Sequence, residues 1–418
     1  MSKIQGIRGF TDIFGPLASA WDDLEYNLTA LANQYNYTPI RLPFLEKSEL
    51  FQRSVGVTSD IVHKEMYSFI DKNDASVSLR PEGTAGCVRI CIEHNLLYGS
   101  NQKFFYIAPM FRRERPQKGR LRQFHQFGIE AYGFPEGSIE IEQQLLLSRI
   151  WQTLSVPHPT LHINYLGCHE TRQRYKDALQ EFYKPYASDF DALNKNRLVS
   201  NPLRLLDSKD PDIIAINHDA PHITSYLTKD EQNQYRQIRD GLALHNIAFV
   251  ENPTLVRGLD YYSGFIYEYT SELLGAQSSV CGGGRYDQLF AQLGGQPISA
   301  TGFSIGLERL LAMMNSETQE PAKTTSLVWI NLNSKAVSAS LGFCEQLRSH
   351  CPELRVDCSY VEGKASNQLK KAEKHNASYA ILCGEDELQS GTFTFKNLKT
   401  RSQENLSLSA IIDKLNKE

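Results

Sequence analysis

Apolar residues recur at helical spacing in only part of the chain, and the places where that period changes divide it. Leu17, Trp21, Leu24, Leu28 and Leu31 fall on one side of a 3.6-residue turn, which predicts an amphipathic helix over 17–35. YTPIRLPFLE (37–46) follows as an extended segment, because Pro39 and Pro43 both disfavour helix. Within 64–81, EMYSFI and SVSLRP read as two strands turning on KNDA. Residues 83–97 and 138–154 read as helices. Between them, FRRERPQKGRLRQFHQFGIE (111–130) has two strand-like halves around a short loop. Its second half alternates by twos: His125, Phe127, Ile129 and Ala131 on one face, Phe124, Gln126, Gly128 and Glu130 on the other. A strand apolar behind and polar in front predicts a pocket floor, with Gly128 leaving room for a ligand.

From about 170 to 250 the pattern is helical again and richer in charge, as in TRQRYKDALQEFY and KDEQNQYRQIRDGLALHN, with turn residues in NPLRLLDSKDPD. Strand and glycine patterns return over 255–270 and 277–310. SETQEPAKTTS (316–326) is polar, holds Pro321 and contains the expected linker. Beyond it LVWINL, RVDCSY, YAILCG and TFTFKNL read as strands, with helices near 335–350, 365–375 and 407–416. The expected organisation is a sheet-based core from 1–170 and 251–318, a helical insertion at 171–250, a linker at 319–326, and an α/β domain at 327–418 with helices over a mixed sheet.

Composition narrows the class. The chain has 418 residues, enough for two or three domains, and 41% hydrophobic with 22% charged residues is ordinary for a soluble protein. It has no apolar run long enough to span a membrane, and its first residues, MSKIQGIRGFTDIFG, resemble neither a secretory signal nor a transit peptide. A formal net charge of -4 argues against tight non-specific DNA binding, while a local basic patch remains able to act. Eight cysteines without a C-x-x-C pair, and eleven histidines without H-E-x-x-H spacing, lead us to expect a reduced, cytoplasmic protein with no side-chain metal site. Cys344 and Cys351 share a helical stripe with Val337, Leu341 and Leu347 and read as buried small hydrophobes.

Five segments carry candidate chemistry. Arg112, Arg113, Arg115, Lys118, Arg120 and Arg122 stand against Glu114, which suits a triphosphate or a tRNA backbone; a solvated hairpin tip is the alternative. In LRPEGT (79–84), Glu82 suits a substrate ammonium or simply a helix dipole, while Thr84 suits a helix cap or a ligand hydrogen bond. LVRGLDYYSG (255–264) sets Arg257 beside a glycine, with Asp260, Tyr261 and Tyr262 expected on a strand. CGGGRYD (281–287) resembles a phosphate-cradling loop but lacks the Walker A and dinucleotide patterns. GFSIGLERL (302–310) reads as a strand turning at Gly306 into a helix, with Arg309 in its first turn, where a structural ion pair is the plain reading.

As a set, these segments resemble the class II aminoacyl-tRNA synthetases, and among them the bacterial-type histidyl-tRNA synthetases, over nearly the whole chain. The basic hairpin looks like the class's second signature motif, GFSIGLERL like the third, and the first helix with YTPIRLPFLE like the first, which in the family forms a dimer interface. LVRGLDYYSG and CGGGRYD are the segments peculiar to the histidine enzymes. The resemblance implies an antiparallel catalytic sheet, a C-terminal anticodon-binding domain and a homodimer. It implies ATP and L-histidine as substrates, Mg²⁺ on the phosphates, and tRNA-His as partner. Arg112, Arg257 and Arg309 would be catalytic. Arg112, Glu114, Arg120, Phe124 and Arg309 would bind ATP. Glu82, Thr84, Gln126, Glu130, Tyr261, Tyr262 and Tyr286 would bind histidine. Gln117 and Lys118 would face the tRNA acceptor end, and Lys364, Lys370, Lys371 and Lys374 the anticodon.

Three rivals compete with this reading. A histidine-binding regulatory relative tends to lack the full arginine set or the C-terminal domain, and both are kept here. A class II enzyme for proline, threonine or glycine fits LVRGLDYYSG poorly. A nucleic-acid-binding module without chemistry leaves the polar face of 124–130 unexplained.

Overall fold

The computed structural model describes residues 3–56, 59, 61–116, 119–208, 210–314, 326–360 and 364–417. Within the unit Met1–Ser316 the strands are β1 (Thr38–Pro39), β2 (Leu45–Lys47), β3 (Tyr67–Ile70), β4 (Ser76–Leu79), β5 (Gln102–Phe111), β6 (Gln123–Tyr132), β7 (Thr160–Tyr165), β8 (Val250–Glu251), β9 (Ser263–Thr270), β10 (Ser279–Arg285) and β11 (Ala300–Gly306). The unit Glu317–Glu418 holds β12 (Ser326–Asn331), β13 (Arg355–Cys358), β14 (Tyr379–Cys383), β15 (Thr392–Asn397) and β16 (Gln403–Ser407).

The main sheet has eight strands in the order β1-β5-β6-β11-β10-β9-β7-β8. Its inner pairs are all antiparallel, and only the short edge strands β1 and β8 pair in parallel. This is the antiparallel core that the resemblance implied. Strands β2, β4 and β3 form a small antiparallel sheet.

Period-2 alternation decides which face each side chain serves. Phe127, Ile129 and Ala131 of β6 enter a core with Trp21, Leu24, Leu28 and Leu31 of helix Pro16–Gln34, while Leu17 stays exposed. Helix Ser138–Thr153 and Tyr235, Ile238 and Leu242 of helix Lys229–Leu244 share that core. Tyr106, Tyr132, Tyr262 and Tyr286 belong to a second core, joined by Tyr175, Leu179 and Tyr183 of helix His169–Tyr183. The helical segment after residue 170 thus packs into both cores.

Several expectations change in detail. The helix expected over 83–97 runs only Thr84–Glu93, and Asn95 then takes a positive φ of 50°. Residues 255–262 form a loop and turn, not a strand, so Asp260, Tyr261 and Tyr262 precede β9. CGGGRYD is not a cradling loop: its glycines lie in β10, paired on both sides. β7 went unpredicted, as did helix Glu385–Ser390 and β16.

The second unit's sheet runs β13-β12-β14-β15-β16, mixed as expected: its first two pairs are parallel and its last two antiparallel. Ser326, the last residue of the expected linker, already belongs to β12, and 319–325 lie outside the described residues. Cys344 and Cys351 are buried, but the stripe beside them is Ala336, Ser340 and Leu347, because Leu341 faces outward.

Candidate active site

One cleft collects Glu82, Thr84, Arg112, Glu114, Arg120, Phe124, Gln126, Arg257, Tyr261, Tyr262 and Arg309, residues drawn from all five segments except CGGGRYD, which lends Gly282. Glu130 and Tyr286 do not line it; they sit directly behind Thr84. Gln117 and Lys118, expected at the acceptor end, lie outside the described residues.

The sheet builds the cleft's closed end. Glu130 of β6 lies opposite Gly302 of β11, where any Cβ would press on the Glu130 carboxylate and the Tyr286 hydroxyl. Tyr286 donates to Glu130 Oε2, and Thr84 Oγ1 donates to Oε1 at 2.8 Å. Burial pushes the Glu130 carboxyl up to about 8, against the pull of these two hydroxyls and with some help from the Glu82 charge. Glu82 is the actual helix cap, accepting from the backbone N–H of Thr84 at 2.6 Å and of Ala85 at 3.0 Å. Burial raises its carboxyl too, opposed by those N–H groups and by Arg112. Tyr261, Tyr262 and Tyr286 close this end as an aromatic cluster with centroids 4.8 to 6.2 Å apart.

The space beside Gly128 is not left for a ligand. Tyr106, paired opposite it on β5, lays its ring over both Gly128 and Gly83, and a Cβ at either glycine would collide with that ring. Gln126 remains in the cleft, its Nε2 donating to Ser304 Oγ at 3.3 Å.

The open end is cationic. Arg112 Nε donates to Pro81 O at 2.9 Å, and its guanidinium lies 5.1 Å from the Phe124 ring centroid. Glu114 is ion-paired with Arg120. Arg309 donates to Ser279 O at 2.6 Å and to Gly119 O at 3.3 Å, so backbone carbonyls hold it where an ion pair was the plain reading. Burial, then repulsion from Arg112 and Arg120, lowers its pKa, the signature of cations gathered for an anion. Arg257 reaches across Gly282, where a Cβ would strike its guanidinium. Burial alone would lower its pKa, but Glu268 at 2.9 Å outweighs that and raises it. Ser279 Oγ, 2.7 Å from the same Glu268 oxygen, completes the fixture.

Sequence reasoning missed Glu268, Ser279, Ser304, Tyr106 and Glu308. Alternation along FFYIAPMF sets the face of Tyr106 but not its pairing with Gly128, and Glu268 carried no local signal. Glu308 accepts from the His125 backbone N–H and approaches His125 Nδ1 at 2.9 Å, tying the last helix of this unit to β6.

A family model described as histidyl-tRNA synthetase matches residues 9–310. The chain belongs to the histidyl-tRNA synthetase family. A second model, described as an anticodon binding domain, matches residues 327–418. Among curated relatives, a histidine–tRNA ligase of Francisella philomiragia is 43% identical, the match covering 100% of this chain and 99% of that one. One from Hydrogenovibrio crunogenus is 41% identical over 97% of this chain and 96% of its own. Apo histidyl-tRNA synthetase of S. aureus superposes with a TM-score of 0.83 at 31% identity, covering 99% of this chain and 100% of that one. A Bacillus halodurans protein described as an ATP phosphoribosyltransferase regulatory subunit/histidyl-tRNA synthetase, at 18% identity and a TM-score of 0.66, shares the fold. Full-length relatives named as ligases do not favour the regulatory reading.

Proposed function

We propose that this chain joins L-histidine to ATP as histidyl-adenylate and then passes the histidyl group to the 3′ end of tRNA-His. The observation that carries this is a single cleft with a buried carboxyl framed by hydroxyls at one end and separately anchored arginines at the other. Glu130, held behind the cleft wall by the Tyr286 and Thr84 hydroxyls, would exchange one of them for an imidazole N–H, with Tyr262 on the cleft side; imidazole presents one ring nitrogen as donor and one as acceptor. Glu82 and Gln126 take the ammonium and carboxylate. An analogue without the ring nitrogens would offer neither that donor nor that acceptor, which selects against it.

In the first step a histidine carboxylate oxygen attacks the α-phosphorus. The bond to the β-phosphate breaks, and pyrophosphate leaves with the electron pair. Positioning and positive charge dominate such a transfer. Arg112 and Arg257, from different segments, grip the α-phosphate from two sides, Arg257 also against the histidine carboxylate, and Arg309 stacks on adenine or grips the γ-phosphate region. Glu114, Arg120 and Phe124 hold the rest of the nucleotide. Among the described residues no cluster of three His, Cys, Asp or Glu side chains is placed for a cation, and Glu114 and Glu308 already face Arg120 and His125. Mg²⁺ would accompany the ATP phosphates and neutralise their charge. In the second step the terminal ribose hydroxyl attacks the histidyl carbonyl, AMP leaves, and an adenylate phosphate oxygen takes the proton.

Gln117 and Lys118 would meet the acceptor end. Exposed Lys364, Lys370, Lys371 and Lys374, on or beside helix Ala365–Lys374, would meet the anticodon. A homodimer through the first helix and the 37–46 segment, working in the cytoplasm, completes the proposal. Histidine-dependent ATP–pyrophosphate exchange tests it. Exchange with histidine alone, lost in Arg257→Ala, is the expected result. Histidine binding without exchange would overturn it in favour of the regulatory relative.

A further inference from the structure

A second cavity opens between the helical segment and the loop that carries Arg257 and Tyr262, and those two residues line both cavities. Arg172 and Lys176, one turn apart on helix His169–Tyr183, enter it from one element, and Arg204 from helix Leu203–Leu206. Arg172 Nη1 donates to Tyr262 O at 2.5 Å. Arg204 Nη2 donates to Gly258 O and Asp260 Oδ1, each at 2.8 Å, and Asn201 Nδ2 donates to the same carboxylate oxygen at 3.1 Å.

The charges here do not balance. Of Arg172, Lys176 and Arg204 only Arg204 is ion-paired, with Asp260, the one carboxylate in the cavity wall; Glu170, outside the wall, acts on Arg172 more weakly, so positive charge is in excess. Arg257, the fourth cation in the wall, already has Glu268. Among the described residues the Lys176 ammonium makes no hydrogen bond or ion pair and feels Asp260 only at longer range. Arg172 Nε is buried without a partner. Burial and the Arg172 charge lower the Lys176 pKa, and burial lowers that of Arg172. Cations taken from water without partners cost free energy that a bound anion would return. A half-enclosed positive cavity also focuses the field that draws an anion in.

We propose that this cavity is a subsite for a phosphate group, with the Lys176 ammonium and Arg172 Nε as its donors, distinct from the cleft assigned to ATP. The same chemistry has two sources: a backbone phosphate of bound tRNA, or free phosphate or pyrophosphate. Either would add a bridge between helix His169–Tyr183 and the loop 256–262, which presents Arg257 to the main cleft.

The test uses the full-length chain and Lys176→Met, which keeps the aliphatic stem. Unfolding midpoints are followed against inorganic phosphate and pyrophosphate, with histidine and a non-hydrolysable ATP analogue filling the main cleft. The KM for tRNA-His in charging is measured beside them. Loss of a charge-assisted contact predicts roughly a tenfold effect. A tenfold rise in the tRNA KM with an unchanged anion response identifies a tRNA phosphate. A tenfold weaker anion response with an unchanged KM identifies the free ion. Lys176→Arg should restore whichever response is lost. No change in either measurement, or a loss that Lys176→Arg does not rescue, overturns the proposal. The tRNA arm rests on the charging activity proposed above and the free-anion arm does not; histidine-dependent exchange, run on each variant, reports on that activity separately.

Discussion

Glu130 binds its proton more tightly when folded than the usual carboxylate does, with a pKa near 8 set mainly by burial. A raised carboxyl pKa has a definite sign: the folded chain holds an extra proton between about 4.5 and 8, so this group's contribution to stability falls as pH rises through that window. Glu130→Gln should remove that part of the slope, seen as a gain in unfolding midpoint over the parent chain that grows from pH 5 to pH 8. An imidazole N–H offered to the carboxylate favours its ionised form. Histidine binding at pH 7 should therefore release a proton, measurable by calorimetry in buffers of different ionisation enthalpy, and Glu130→Gln should abolish that release. Arg257 poses a simpler case. Loss of one preorganised donor at a reacting phosphate costs about 10²–10³ in rate, so Arg257→Ala should lower kcat for exchange by that order while leaving histidine binding largely intact.

At the scale of elements, Gly128 and Tyr106 form one unit across β5 and β6. Gly128→Ala would drive the ring of Tyr106 toward the cleft. We expect a stability loss of about 1–3 kcal/mol by denaturant unfolding, with a raised KM for histidine. The pair also shows what a single strand pattern reveals. Alternation along residues 123–132 correctly separates a core face from a cleft face, since that depends only on neighbours two apart. It cannot tell whether the gap beside a glycine belongs to a ligand or to a side chain from the next strand. The loop 255–262 misled for a related reason. Leu255, Val256, Tyr261 and Tyr262 look strand-like because they are buried, yet their burial comes from packing against the helical segment rather than from a ladder. The glycines of CGGGRYD misled in the opposite direction. They accommodate Arg257 and tight strand pairing, both non-local demands. Arg112, Arg309 and Gln126 were legible because each sits in a segment with its own strand or helix signal. Glu268 was not, because only the return of a loop eleven residues earlier gives it a partner.

For the whole molecule, the cores follow the two units. Trp329 stacks on Phe343, and both meet Phe393 edge-on, in the core of the second unit. Trp329→Ala should cost that unit about 3–5 kcal/mol. Calorimetry should then show an early transition for the second unit, with histidine-dependent exchange retained through it and tRNA charging lost. The insertion obeys a different logic. The chain leaves the main sheet at Tyr165 on β7, touches its edge again at β8, and re-enters it on β9, where Phe265 is the direct ladder partner of Tyr165. The stretch between those partners hangs from one side of the sheet, yet it sends Tyr175, Leu179, Tyr235 and Leu242 into the two cores and ends in the loop that carries Arg257. Its arginines reach further, since Arg172 and Arg204 hold the backbone of Tyr262 and Gly258 in the active loop. In engineering terms the segment is both scaffold and clamp, so any transplanted version must bring along its core-facing side chains as well as those two arginines.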